Sequence, residues 1–191
     1  AAEVAALQTA LTAAQTDLTE LLQANNIYTP EGSVLTISTP SQLSFAIALG
    51  KKLSIVNGGI NITHTTSMNA ADLATVMNTF TNITGTLTYT ANTTGVTADD
   101  FDNLAAAGTI VINQKAPISL PSLASVNTLA LSDNTGVTSV SLPKLAAITG
   151  SIGNMTFTRA TSIDLSSLVR YDNALTVSIK EGTADFTALT S

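Results

Sequence analysis

Ile118-Ser119-Leu120-Pro121-Ser122-Leu123, Val140-Ser141-Leu142-Pro143-Lys144-Leu145 and Ile163-Asp164-Leu165-Ser166-Ser167-Leu168 are three versions of one six-residue block. A degenerate fourth, Asp185-Phe186-Thr187-Ala188-Leu189, follows them. The leading apolar residue recurs at 120, 142, 165 and 186, in steps of 22, 23 and 21 residues. Its partner three positions on recurs at 123, 145, 168 and 189. A period of that size, held four times, marks stacked supersecondary units.

Each block is followed by a short strand-like run: Thr128-Leu129-Ala130-Leu131, Ser151-Ile152-Gly153-Asn154-Met155 and Leu175-Thr176-Val177-Ser178-Ile179. A polar turn such as Asp133-Asn134-Thr135-Gly136 leads from run to next block. One coil is therefore expected to hold an alternating strand, a turn, an extended segment ending in L-x-x-L, and a return to the next strand.

The pattern extends backwards with helices in place of the L-x-x-L turn. Thr39-Pro40-Ser41-Gln42 has the side-chain cap, first-turn proline and reciprocal Gln of a capping box, and Gly50 is placed to end the helix, which predicts a helix over 40–49. Thr97-Ala98-Asp99-Asp100 repeats the capping pattern, with Phe101, Leu104 and Ala105 on one face and Gly108 as the stop. A third helix is expected from Asn69 to Phe80, where Leu73, Val76, Met77 and Phe80 share a face. Strands are predicted at Val34–Ser38, Leu53–Val56, Ile60–Thr63, Thr86–Tyr89 and Thr109–Asn113. The expected fold is a β-solenoid with one unbroken parallel sheet, α/β in its first half and mostly β in its second.

The chain opens differently. From Val4 the apolar positions are Val4, Leu7, Leu11, Ala14, Leu18 and Leu21, spaced three, four, three, four, three: an a/d seam. Ala, Gln, Leu and Glu favour a helix over 2–24, ending at Ala24-Asn25-Asn26 before Tyr28-Thr29-Pro30. Two roles stay open: an oligomerising stalk, or a cap on the first coil. The chain thus divides into residues 1–26, the heptad helix, and residues 27–191, a solenoid of about seven units.

The S-L-P-x-L blocks, each followed after a Val or Ile by a strand and an Asn-bearing turn, resemble the degenerate leucine-rich repeats of bacterial surface proteins and of receptor L-type domains. The resemblance covers residues 109–191. This chain departs from that pattern in its irregular repeat asparagine and in the longer, helix-containing units of its first half. The resemblance implies extracellular recognition, adhesion or scaffolding, and it carries over no catalytic residue.

Composition narrows the function classes. Of 191 residues, 45% are hydrophobic and 10% charged, enough apolar content for one elongated core. Thr occupies 32 positions and aromatics are 4%, a β-branched bias compatible with strands. Seven basic against thirteen acidic residues give a charge of −6, and the basic ones never cluster beyond Lys51-Lys52, which argues against nucleic acid or an anionic membrane as partner. There is no cysteine, hence no disulfide and no thiol chemistry. No run approaches the roughly 20 apolar residues of a membrane helix. The expected location is extracellular or at the cell surface, with a lipid anchor upstream of Ala1 as one route.

Candidate chemistry is sparse. The single histidine, His64, directly follows a predicted strand and reads as a turn or surface residue, having no ligand partner nearby in sequence. Asp99, Asp100 and Asp102 could ligate Ca²⁺ but lack D-x-D-x-D-G spacing, and they fit the first turn of the predicted helix, where the macrodipole favours carboxylates. A polysaccharide-active β-helix enzyme needs acids and bases converging on one face, whereas Asp133, Lys144, Arg159, Asp164 and Asp172 fall at separate phases of the repeat. Gly58-Gly59 and Gly153 read as bulges or coil corners. Sequons stand at Asn61, Asn82, Asn92 and Asn154. No catalytic, cofactor or metal residue is assigned.

The leading expectation is a non-catalytic adhesion or recognition module presenting a Thr- and Ser-rich sheet face to a protein or glycan. The alternative is a structural subunit of a surface layer, filament or outer-surface assembly that self-associates through residues 1–24 and through the end of the last coil. That last block stops where the next strand is due, so either the native chain continues beyond Ser191 or another molecule covers that end.

Overall fold

The computed structural model describes residues 2–24, 27–91, 101–114, 116–131, 137–150, 155–157, 161–171, 177–179, 183–185 and 187–188. It shows parallel β-sheets preceded by an N-terminal helix. The helix α1 runs Ala2–Ala24. Ala and Leu, which lose little conformational freedom on entering a helix, are its commonest residues. All side chains from Glu3 to Asp17 are exposed, so that stretch lies against no part of the sheet.

Strands β1 (Ile27–Tyr28), β2 (Val34–Ile37), β3 (Ile55–Val56), β4 (Gly59–His64), β5 (Asn82–Ala91), β6 (Ala106–Asn113), β8 (Ser125–Leu131), β10 (Ala147–Ile148) and β13 (Arg170–Tyr171) form the largest sheet. A second sheet takes β7 (Ile118–Ser119), β9 (Ser139–Ser141), β12 (Ser162–Asp164) and β15 (Thr183–Asp185), and a third takes β11 (Met155–Phe157) and β14 (Val177–Ile179). Every pairing among the described residues is parallel. In place of the single unbroken sheet expected from sequence, the described strands form three sheets.

The unit-to-unit register is carried by one hydrogen-bond ladder. The N–H of Thr81 donates to the Ser54 carbonyl at 2.7 Å, Ala105 to Thr81 at 2.8 Å, Ala124 to Ala105 at 2.8 Å, Ala146 to Ala124 at 2.9 Å and Val169 to Ala146 at 3.1 Å. From 54 to 81, 105, 124, 146 and 169 the steps are 27, 24, 19, 22 and 23 residues. The longest step contains the helix Ala70–Met77. Immediately before each ladder residue stands a fully buried one: Leu53, Phe80, Leu104, Leu123, Leu145 and Leu168. Two positions after the ladder residue, Val56, Ile83, Ala107, Val126 and Ile148 form a second buried column. Both columns are withdrawn from water in the folded chain.

Helix α2 (Pro40–Leu49) matches its predicted bounds. Thr39 accepts from the Gln42 N–H at 3.3 Å, Pro40 occupies N1, and Gly50 closes the end at φ 53°, its N–H donating to the Ala46 and Ile47 carbonyls. The Gln42 side chain reaches one residue further back than in a capping box, accepting from the Ser38 N–H at 2.8 Å and the Ser38 hydroxyl at 2.9 Å. Helix α3 is Ala70–Met77, shorter than the expected Asn69–Phe80. Asn69 caps it from outside, accepting from the Ala71 and Asp72 N–H groups, and Phe80 already belongs to the turn into β5.

The helix expected to start at Thr97 and stop at Gly108 is not formed where the structure describes it; residues 97–100 lie outside the described residues. Phe101 to Leu104 is instead a turn, with the Leu104 N–H on the Phe101 carbonyl at 3.1 Å. The same bond closes Leu120–Leu123 at 3.2 Å, Leu142–Leu145 at 3.1 Å and Leu165–Leu168 at 3.0 Å. Phe101-x-x-Leu104 therefore forms the same turn as the L-x-x-L segments. Its apolar pair wins over the capping residues because both side chains are fully withdrawn from water. Gly108 then lies inside β6 rather than at a helix end: a Cβ there would sit 2.5 Å from the Thr84 carbonyl oxygen.

Other expectations land close by. Strands at Val34, Ile60, Thr86 and Thr109 are present with slightly different ends, and Leu53 belongs to a 3-10 turn, with β3 starting at Ile55. Ser151–Asn154, Leu175, Thr176, the turn 133–136, Gly153, Phe186 and Leu189 lie outside the described residues, as do Asn25 and Asn26.

Candidate recognition face

Strands β2, β4, β5, β6 and β8 alternate. Inward they place Leu35 and Ile37, Ile60 and Ile62, Leu87 and Tyr89, Ile110 and Ile112, and Leu129 and Leu131, all buried. Tyr89 meets Phe101 edge-on at 5.9 Å, and Phe101 lies 6.2 Å from Phe80, linking strand and turns through aromatic contacts.

Outward, the register forms rows across the units. Thr36, Asn61, Thr88, Val111 and Ala130 make one. Thr63, Thr90 and Asn113 make a second, and Thr86, Thr109 and Thr128 a third. Seven of these eleven positions are Thr and two are Asn; none is charged. Adjacent strands stand about 4.8 Å apart, and residues two apart on one strand about 6.6 Å, so the hydroxyls form a two-dimensional array. Among the described residues these seven Thr hydroxyls take no intramolecular partner. The face has hydrogen-bonding capacity without charge.

Glycines line the corner beside this face. Gly58 has φ 151°, a conformation other residues rarely adopt, and a Cβ on it would meet the Ser33 carbonyl oxygen at 2.6 Å. Gly85 donates its N–H to the Gly58 carbonyl at 2.9 Å and would bring a Cβ within 2.7 Å of Gly58. Gly58, Gly85 and Gly108 thus stack at successive rungs where backbones approach closely. Of the pair expected to form a bulge or corner, Gly58 lies in the bend before β4 and Gly59 is the first residue of β4.

Among the described residues no group of three or more His, Asp or Glu side chains is placed to hold a metal ion. His64 is the last residue of β4 and is 4% exposed, which corrects the expectation of a turn or surface position: its strand runs one residue further than the sequence suggests. Burial holds its imidazole below the ordinary value. Asp102 is exposed in the Phe101–Leu104 turn, so no helix dipole explains it; Asp99 and Asp100 lie outside the described residues. Lys144 is exposed. Asp164 accepts from the Ser166 N–H at 3.0 Å, and bonds from Ser166 hold its carboxyl below the usual range. Asp133, Arg159 and Asp172 lie outside the described residues, as do Asn92 and Asn154, whereas Asn61 and Asn82 are exposed.

Two features have no signal in the sequence. Gln114 is 1% exposed and donates to the Ala116 and Pro117 carbonyls at 3.2 and 2.6 Å, pinning the loop after β6. A shallow cleft of about 610 Å³ lies beside β2, between Tyr28, Glu31, Val34, Gln42 and Phe45. Burial, with a smaller push from the Glu31 charge, raises the Tyr28 phenol above its ordinary value. No helix among the described residues is long and apolar enough to cross a membrane. Comparison with protein-family models, curated proteins and solved structures finds no match to this chain.

Proposed function

We propose that this chain is a non-catalytic recognition module of the cell surface whose parallel strands are the rungs of one leucine-rich-repeat-like solenoid, and whose Thr face binds a glycan. The continuous ladder from Ser54 to Val169 and the recurring L-x-x-L turns support the solenoid reading. The observation that carries the ligand reading is the uncharged array of seven Thr and two Asn on adjacent rungs. A field of neutral donors and acceptors suits a neutral, repeating, hydroxyl-rich chain, because each sugar hydroxyl finds a hydrogen bond without desolvating a charge.

An array of neutral oligosaccharides tests this directly. Binding is expected for the full chain and is expected to be lost in Thr88→Arg/Thr109→Arg, with unfolding midpoint unchanged. An empty array overturns the glycan reading. A second reading, a structural subunit of a surface assembly, is favoured by the exposed apolar seam of α1.

A further inference from the structure

We propose that α1 pairs with the α1 of a second copy of this chain as a short two-stranded coiled coil. The pairing is independent of what the Thr face binds. Its seam side chains Val4, Leu7 and Leu11 are 57%, 70% and 61% exposed. A helix lying on a globular core carries an apolar stripe at least about 100° wide, whereas a strict a/d seam is narrower and matches the groove of another helix. Here the flanking positions are Glu3, Gln8, Ala10, Gln15, Asp17, Leu22 and Ala24, polar or small except for Leu22. On the outer side the hydroxyls of Thr9, Thr12 and Thr16 donate back to the carbonyls of Ala5, Gln8 and Thr12 at 2.9, 2.9 and 3.0 Å. The outer face is satisfied within the helix; the seam is not.

Among the described residues no other helix is long enough to partner α1. Helices α2 and α3 have 10 and 8 residues, too few for three heptads; α3 buries Leu73, Val76 and Met77, and α2 buries Leu43 and Ala46 while leaving Phe45 and Ile47 exposed. The seam of matching length and spacing is α1 itself. Charge agrees with self-pairing: Glu3, Asp17 and Glu20 are the charged residues of α1 and none occupies a or d. In a parallel pair Glu3 would stand opposite Gln8 of the second copy and Asp17 opposite Leu22, so no like charges meet across the seam. The 23 residues span about 34 Å, which places the contact below about 1,200 Å² in total, the size of a weak and concentration-dependent interface. The first heptad, with Val4 at a and Leu7 at d, has the pattern that favours two strands; Leu11 and Leu18 occupy the later a positions.

Sedimentation equilibrium of the full chain from about 5 μM to about 500 μM tests the pairing, with the mass expected to climb from 19.5 kDa toward twice that value. Leu7→Ser/Leu11→Ser should weaken association by at least about a hundredfold. Leu7→Met/Leu11→Met, apolar and helix-forming, should retain it, as should the outer-face variant Ala6→Ser/Ala13→Ser. A chain that stays at 19.5 kDa throughout, a serine variant that associates like the original, or a limiting mass of three chains overturns the proposal. None of these results depends on glycan binding, so this pairing and the recognition reading fail separately.

Discussion

Among single residues, a glycine within a strand is tightly confined. Gly108 reads as a helix stop, yet in β6 its Cα faces the carbonyl oxygens of Thr84 and Gly85 in the preceding unit. Gly108→Ala should cost about 1–3 kcal/mol by overpacking, seen as a lower urea midpoint. His64 makes a different prediction. Its folded imidazole is held below the ordinary 6.5 by burial, so the unfolded chain binds the proton more readily. Stability is therefore full above the unfolded value and falls as pH drops below about 6.5. The urea midpoint should be higher near pH 7.5 than near pH 5.5, and His64→Gln should flatten that difference, since no other histidine exists. An unchanged slope in the variant would refute the assignment. Neither property could be read from the sequence: one needs the neighbouring rung, the other the burial of a strand end.

Among the elements, the turn from Phe101 to Leu104 shows how local and global preferences compete. Thr97 to Asp100 carries a good helix-start pattern, but the bond from Leu104 to Phe101 and the two buried side chains place this segment in the L-x-x-L series. Asn103 strengthens it by donating its side-chain amide to the Asn78 carbonyl and side-chain oxygens at 2.9 and 2.7 Å, one unit back. Asp102 stands where Pro121 and Pro143 stand in the later turns. Asp102→Pro should thus change stability by under about 1 kcal/mol, because proline suits the second position of such a turn. A helix interior would lose about 3 kcal/mol. Differential scanning calorimetry of the single variant distinguishes them. Helix α2, by contrast, was legible to the residue, because its signals are all local: a cap, a first-turn proline and a terminal glycine.

In the molecule as a whole, two parts behave differently. The described residues between 27 and 171 share buried columns that pass from unit to unit, whereas the side chains of α1 from Glu3 to Asp17 touch solvent. Removing residues 1–24 should leave the thermal midpoint of the remainder within a few degrees of the full chain, since Val4, Leu7 and Leu11 are not part of the core. A large drop would mean that α1 supports the first units directly.

The period, the heptad helix, the capped helix α2 and most strand positions follow from the order of residues alone, because each rests on spacing along the chain and on side chains acting within a few residues of one another. Where the repeat begins, which glycines stack between rungs, that His64 is buried and that Thr residues from five strands share one face emerge only once the chain has folded. Those depend on which residues become neighbours about 19 to 27 positions apart. No local propensity encodes that distance; the backbone ladder and the buried columns do.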